Sequence, residues 1–414
     1  MPFQSRLNRK KANRLGNAWR LLFVSLVCIH LILIHILRQF QCRRKKIQDA
    51  RDKLKATVQK VLERRSRKTK AAVTTLFLNT SQQSQFVSQE KLSTLPDWMN
   101  EYITWHKEQK SQISKDNWKD FQYIVMQCVQ EDHDCGGASD RLKPIPLLLL
   151  IAYQTQRIFL IWWTMPFPLE EFLVPNELNW TVPEYIPVSD DSVNSILTFN
   201  VEDLVLSANK DTTILRSQIR VLDSGSSYFE EHSSPTLYEN SYHNFWRSLF
   251  NPAPPIAKIL NDKMDSADIK PGEYAIAHYR ALYAQNSRHE ADISKAAIRA
   301  VDCASQLRPG GPVYFSSDSA HAVQSIQAYA EENSYRIISS ANQVRLHLDD
   351  TGNWSYRQPS DFYSNFVDLY LIGMGNCVSY GDGSFGRFGL LLSYNASCFI
   401  KYTENGKNVN CTWV

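Results

Sequence analysis

The sequence lacks the short signatures of several enzyme classes. It has no Gly-x-Ser-x-Gly elbow, no His-Glu-x-x-His helix and no Walker-type Gly-Lys-Ser/Thr loop. A serine hydrolase, a zinc protease and a P-loop sulfotransferase are therefore disfavoured. No Cys-x-x-Cys pair is present either, so the eight cysteines carry no structural zinc spacing. Acid is missing from the first 20 residues, which hold six basic ones, and the formal charge of +4 is concentrated in the first 70. The remainder has no basic surplus of the kind a nucleic-acid partner requires.

What is present begins with a membrane signal. Leu21 to Leu37 is an almost unbroken apolar run bounded by Arg20 and Arg38, and at about 1.5 Å per residue it spans a thin bilayer core. Gln39, Phe40, Gln41 and Cys42 offer no small-residue cleavage site, so an uncleaved anchor is expected: tail 1–20, transmembrane helix 21–37, stem and linker 38–94. Within the stem, Ile47, Leu54, Val58 and Val61 fall at near-heptad spacing. This allows a homodimer through the stem or a solvated basic helix beside lipid headgroups.

Five acceptor sequons follow the anchor, at Asn79, Asn179, Asn353, Asn395 and Asn410, and together they favour a lumenal, glycosylated C-terminal part in a type II membrane protein of the Golgi or ER. Six cysteines also follow it: Cys128, Cys135, Cys303, Cys377, Cys398 and Cys411. An even set in an oxidising lumen reads as disulfides. Cys128 with Cys135 and Cys398 with Cys411 close short loops and leave Cys303 with Cys377, although many other pairings remain open.

A folded part of about 300 residues starting near Leu95 suits two subdomains, 95–265 and 266–414, sharing a cleft. Strands are expected at Tyr123–Val129, Ile158–Trp163, Tyr274–Arg280, Val313–Ser316, Arg336–Ser339 and Asn376–Tyr380, and helices at Ser139–Gln156, Ile293–Leu307, Ala320–Glu332, Asp361–Gly373 and Ser384–Ser393. That alternation predicts α/β architecture of the doubly wound pattern. Asn200 to Asp265, with its serine-rich LDSGSSYFEEHSSPTLYEN and its NPAPP, reads as a hinge and an acceptor-side insertion. Two glycine turns stand out, Gly136-Gly137 and Gly383-Ser384-Phe385-Gly386. Each lies beside an apolar run, so its backbone amides can approach an anion closely.

Four blocks carry a family resemblance. GGASDRL followed by IAYQTQRIFLI and PFPLEEFLVPNELNW, then His278-Tyr279-Arg280, then SSDS at Ser316–Ser319, and finally Asp368 through SYGDGSFGR together resemble the GDP-fucose-dependent fucosyltransferases of the α-1,6, α-1,2 and protein O-fucosyltransferase type. The resemblance implies a GT-B fold with two facing Rossmann-like halves, inverting transfer of fucose from GDP-fucose to a glycan or glycoprotein acceptor, and no metal or other cofactor. The alternatives are a transferase for another nucleotide sugar on the same fold, or an inactive membrane-anchored glycan-binding protein.

The residues admit a physical reading of their own. Without a metal, a leaving diphosphate is neutralised by arginine and amide donors, because guanidinium grips phosphate in a bidentate fork. Arg280, after a strand, is the candidate, and a structural ion pair is its competing role. Ser384 offers a hydroxyl and an N–H at a helix start, either to a phosphate or as a cap. Asp318 and Asp368 suit guanine amino or ribose hydroxyl groups, Ser317 lies beside the former, and His278 either touches nucleotide or packs. Asp140 and Arg141 pair with each other or orient the first glycine turn.

An inverting transfer also needs a base. Where the family reading places acidic and basic residues after the arginine, this chain has Ala281, Leu282, Tyr283 and Ala284, and the nearest carboxylates are Glu290 and Asp292, beside His289. Glu290 is the candidate. Asp132-His133-Asp134 spells the Asp-x-Asp of metal-dependent transferases, but it lies between two cysteines and reads as a solvated loop.

Overall fold

Runs such as YIVMQC and IFLIWW are apolar at nearly every position, the pattern of strands covered on both faces. The computed structural model describes residues 95–129, 135–189, 193–219, 238–281, 290–333, 335–339, 346–348, 354, 356–405 and 408–412, all within one compact unit, Val87–Val414. The expected tail, anchor and stem, with Asn79, lie outside the described residues. So do Asp132–Asp134, His289 and Asn353. Among the described residues no helix is long and apolar enough to cross a membrane.

In chain order the first half contains α1 (Asp97–Gln112), β1 (Tyr123–Cys128), α2 (Ala138–Leu142), α3 (Ile145–Gln154), β2 (Ile158–Trp163), β3 (Leu173–Pro175) and β4 (Ser195–Thr198). It continues with α4 (Val201–Ala208), β5 (Ile214–Ser217), α5 (Tyr238–Leu249), β6 (Phe250–Pro252) and α6 (Pro254–Ala267). The second half contains β7 (Ala275–Tyr279), α7 (Glu290–Leu307), β8 (Val313–Ser317), α8 (Ala320–Asn333) and β9 (Ile337–Ser339). After these come α9 (Tyr363–Gly373), β10 (Cys377–Tyr380), α10 (Ser384–Leu392), β11 (Phe399–Asn405) and β12 (Asn408–Thr412).

The first sheet is parallel, in the order β2-β1-β5-β4. The second runs β12-β11-β10-β7-β8-β9, parallel except for the β11–β12 hairpin. From β7 the chain winds outward through β8 and β9, then returns to β10 on the other side of β7. The order therefore reverses between β7 and β10. In open α/β sheets, such a switch point leaves a crevice at the carboxyl ends of the two strands.

Three expectations from the sequence are corrected. The helix expected over Ser139–Gln156 is two helices, because Pro144 and Pro146 have no N–H to donate; α2 ends at Leu142 and α3 restarts with Pro146 in its first turn, where a donor is not needed. Asn200–Asp265 is not simply a hinge and insertion, since β5 lies between β1 and β4 with Ile214 and Leu215 fully buried. In the same stretch Pro254 and Pro255 of NPAPP open α6. Four strand residues are too few to show periodicity, which is why β5 escaped notice.

Disulfides are the third correction. Cys128–Cys135 forms as expected, but the others are Cys303–Cys411 and Cys377–Cys398. Register explains it. Val378 pairs with Phe399, which sets Cys398 beside Cys377, and the hairpin returns β12 toward α7, where Cys411 meets Cys303 with 5.5 Å between their Cα atoms.

Side chains of α1 protect the edge strand β2. Tyr102 Oη donates to Arg157 O and accepts from Phe159 N, both at 2.9 Å, and His106 Nε2 donates to Phe159 O at 3.0 Å. These groups satisfy backbone that would otherwise be an open edge. His106 is completely buried. Burial pushes its pKa down to about 3, the nearby Lys110 charge adds to the drop, and the Phe159 bond opposes it.

Two predictions follow from this packing. Between about pH 6.5 and 3 the unfolded chain binds a proton at residue 106 that the folded chain excludes, so stability falls as pH falls across that window. The slope of the melting temperature against pH there should flatten in His106→Gln; an unchanged slope refutes the assignment. Peptide mapping without reduction should recover Cys303–Cys411 and Cys377–Cys398 cross-links, and recovery of Cys398–Cys411 instead would contradict the register.

Candidate functional site

The crevice is built from strand ends. His278 and Tyr279 end β7 and lead to Arg280; Ser316 and Ser317 end β8 and lead to Asp318; Tyr380 ends β10 and leads through Gly383 into α10. Gly383 has φ +97°, a conformation that glycine adopts without strain, and it serves as the cap that lets α10 start at Ser384. A Cβ on Gly386 would stand 2.7 Å from both His278 Nδ1 and Tyr380 Cβ. Glycine there lets the first turn of α10 lie directly on β7 and β10.

The two glycine turns meet. Ser384 Oγ donates to Asp140 Oδ1 at 3.0 Å and lies 2.8 Å from Ser139 Oγ, joining residues about 245 apart in the chain. Asp140 also accepts from Gly137 N at 3.3 Å. Arg141 is buried beneath the turn. Its Nε donates to Gly136 O at 2.8 Å, one Nη to Met165 O and the other to Leu348 O at 2.7 Å, while its carbon lies 4.7 Å from the Trp163 ring centre. Arg141 thus bonds to the first glycine turn from inside.

Arg280 is ion-paired. Its Nε lies 3.2 Å from Asp318 Oδ2, and Asp318 Oδ1 accepts from Ala281 N at 2.7 Å. One Nη of Arg280 is 3.3 Å from His347 Nδ1, and His347 Nε2 is 3.9 Å from Asp318 Oδ2. Arg280 keeps 20% of its side-chain surface exposed against 8% for Asp318. His347 escaped the sequence reading because LHLDD carries no motif; only the fold brings it to Arg280.

Other candidates separate from this cluster. Asp368 is fully buried in α9, accepting from Tyr314 Oη and Ser316 Oγ at 2.6 Å each. It ties α9 to β8 rather than facing open space. Ser317 Oγ accepts from Ser319 N. Phe385 is half-buried with its ring centre 5.5 Å from that of His278, so His278 packs against α10. Glu290 is exposed at the first position of α7, directly after residues 282–289, which lie outside the described set. Asn179 and Asn395 are exposed, and each Oδ1 accepts from the N–H two residues on. Asn410 lies in β12. In the first half, a small recess at the ends of β1 and β5 is lined by Gln127, Arg141, Ser217 and Gln218 beside the Cys128–Cys135 disulfide.

No family model matches the chain, and no curated protein matches it. Solved structures do. A mutant of Arabidopsis thaliana FUT1 in complex with GDP is similar at TM-score 0.49 and 11% identity, over 77% of this chain and 80% of that one. NodZ alpha-1,6-fucosyltransferase soaked with GDP-fucose is similar at TM-score 0.43 and 12% identity, over 71% and 99%. POFUT1 in complex with GDP-fucose is similar at 0.36 and 10%, over 68% and 98%.

Removing the Asp368 carboxylate should strand two buried hydroxyls, at about 1–3 kcal/mol for each. Asp368→Ala should therefore lower the denaturation midpoint clearly. A variant as stable as the parent would show that the network carries no weight.

Proposed function

We propose that the chain is a GDP-fucose-dependent fucosyltransferase of GT-B type, transferring fucose with inversion to a glycan or glycoprotein acceptor. The observation that carries this reading is the position of Arg280. It stands at the switch-point crevice, one strand from the Gly383–Ser384 turn that opens α10, and the Gly136–Asp140 turn of the other half faces that turn. Residues from each of the four sequence blocks, Gly137 and Asp140, His278 and Arg280, Ser316 and Asp318, and Gly383 and Ser384, belong to this neighbourhood. A diphosphate there would meet a guanidinium from β7 and the N–H groups at the start of a nine-residue helix, the pairing that stabilises a leaving anion.

In this reading Arg280 takes charge from the leaving diphosphate as the anomeric C–O bond breaks, and the acceptor oxygen attacks from the opposite face. Its proton goes to Glu290, the exposed carboxylate that opens α7. The acceptor enters from the first half, beside the recess at the ends of β1 and β5. Asp318 holds Arg280 in place, and Ser384 exchanges its bond to Asp140 for one to phosphate. Membrane anchoring through 21–37, a lumenal catalytic part, glycans at the sequons and Golgi or ER residence belong to the same proposal.

The test is release of GDP from GDP-fucose by the full chain in detergent, with EDTA present and a mixed glycan and glycopeptide panel as acceptor. Turnover should survive EDTA and fall about 10²–10³-fold in Arg280→Ala. Binding of GDP without turnover of GDP-fucose, alongside turnover of another nucleotide sugar, would move the donor assignment. Failure to bind GDP at all would remove the reading.

A further inference from the structure

The segment 346–348 is tied from three sides. Leu348 O accepts from Arg141 of α2 and Leu348 is buried in the core; Leu346 O accepts from Asn365 Nδ2 of α9; and the His347 side chain lies against Arg280 and Asp318. Backbone bonds on both flanks fix where the imidazole sits. Among the described residues, the charged side chains seen beside the ring are Arg280 from the end of β7 and Asp318 from the end of β8. Asn365, from α9, is neutral, and the Arg141 guanidinium is committed to carbonyls.

A guanidinium donates and has no lone pair to accept with. His347 Nδ1 therefore accepts from Arg280, which makes the ring neutral with its proton on Nε2, on the side of Asp318 Oδ2. A diphosphate gripped by Arg280 competes for the same guanidinium N–H. Once that N–H turns to phosphate, Nδ1 loses its donor and faces an anion, while Nε2 still faces a carboxylate. Both changes favour the charged imidazolium.

We propose that His347 is a positioning residue for Arg280 and that diphosphate binding at Arg280 gives His347 a proton from solvent. This rests on the nucleotide reading above and deepens it. In the free protein His347 holds the guanidinium in place through a neutral acceptor; in the complex it becomes a second cation beside the leaving group. One proton moves from solvent to Nδ1 as the Arg280 N–H turns from Nδ1 to phosphate, and no other covalent bond changes. The ring's pKa is higher in the complex than in the free protein, so binding gains strength as pH falls through the complex's value. That gain levels off below the free protein's value, with at most about a tenfold change in affinity per pH unit for one proton.

The experiment is calorimetric titration of the full chain with GDP near neutral pH, in two buffers of different ionisation heat, which counts protons exchanged. His347→Asn keeps an acceptor near the Nδ1 position but cannot take up a proton, and His347→Phe removes both functions; melting curves check that each variant is folded. The phosphate's own titration is common to all three proteins and cancels in the comparison. The wild type should take up more protons than either variant, by about 0.5–1 per GDP for a histidine crossing its usual range. The Asn variant should bind GDP within about threefold of wild type at pH 8.5, where an ordinary imidazole is neutral, and the Phe variant should bind at least about tenfold more weakly. Equal proton counts in all three proteins overturn the inference while leaving the nucleotide reading standing. Absence of GDP binding in the wild type removes both.

Discussion

One apolar cluster joins the two sheets, while their other faces pack on two separate clusters, and the crevice exists because the shared cluster fixes how the sheets face. Leu147, Phe159 and Trp180 from the first half belong to the same buried cluster as Ile276, Phe366, Val378 and Phe388 from the second. Phe172 stacks on Phe366 with ring centres 4.4 Å apart, and Tyr242 and Trp246 of α5 set their edges against Phe388 of α10. Burial of this kind contributes roughly 1.5–3 kcal/mol for each large side chain. It outweighs the few polar contacts across the crevice, so Ser384 is carried to Ser139 and Asp140 by hydrophobic packing behind it.

That division of labour explains why polar groups near the crevice have such different roles. Asp368 and Arg141 sit below the surface, and their hydrogen bonds satisfy partners that no water can reach, which makes them parts of the frame. Arg280, Asp318 and His347 keep some exposure and bond mainly to one another. Arg280 is the more exposed member of the ion pair, at 20% of its side-chain surface against 8% for Asp318. A guanidinium in that condition can turn to a stronger anion without unfolding anything around it.

Legibility in the sequence followed from how local each signal was. The strands β1, β2, β7, β8 and β10 were read because a strand covered on both faces is apolar throughout, and glycine turns mark where backbone must approach closely. Lys143–Pro146 was misread because apolar content outvoted two prolines. β5 was missed because Ile214–Ser217 is too short to show a period. Two of three disulfides went astray because sequence separation favours local partners, whereas hairpin register decided which thiols met.

By itself the sequence determined the alternation of strands and helices, the two glycine turns, the strand-end arginine and the even cysteine set, since each depends only on near neighbours in the chain. Tertiary structure alone decided that Asp318 pairs with Arg280, that Asp368 turns inward, that Cys303 reaches Cys411 and that His347 joins the crevice. Those contacts bring together residues that are 38, 54, 108 and 67 positions apart or from their partners. Over such separations the chain carries no local signal, and only burial of a common core selects which side chains end up side by side.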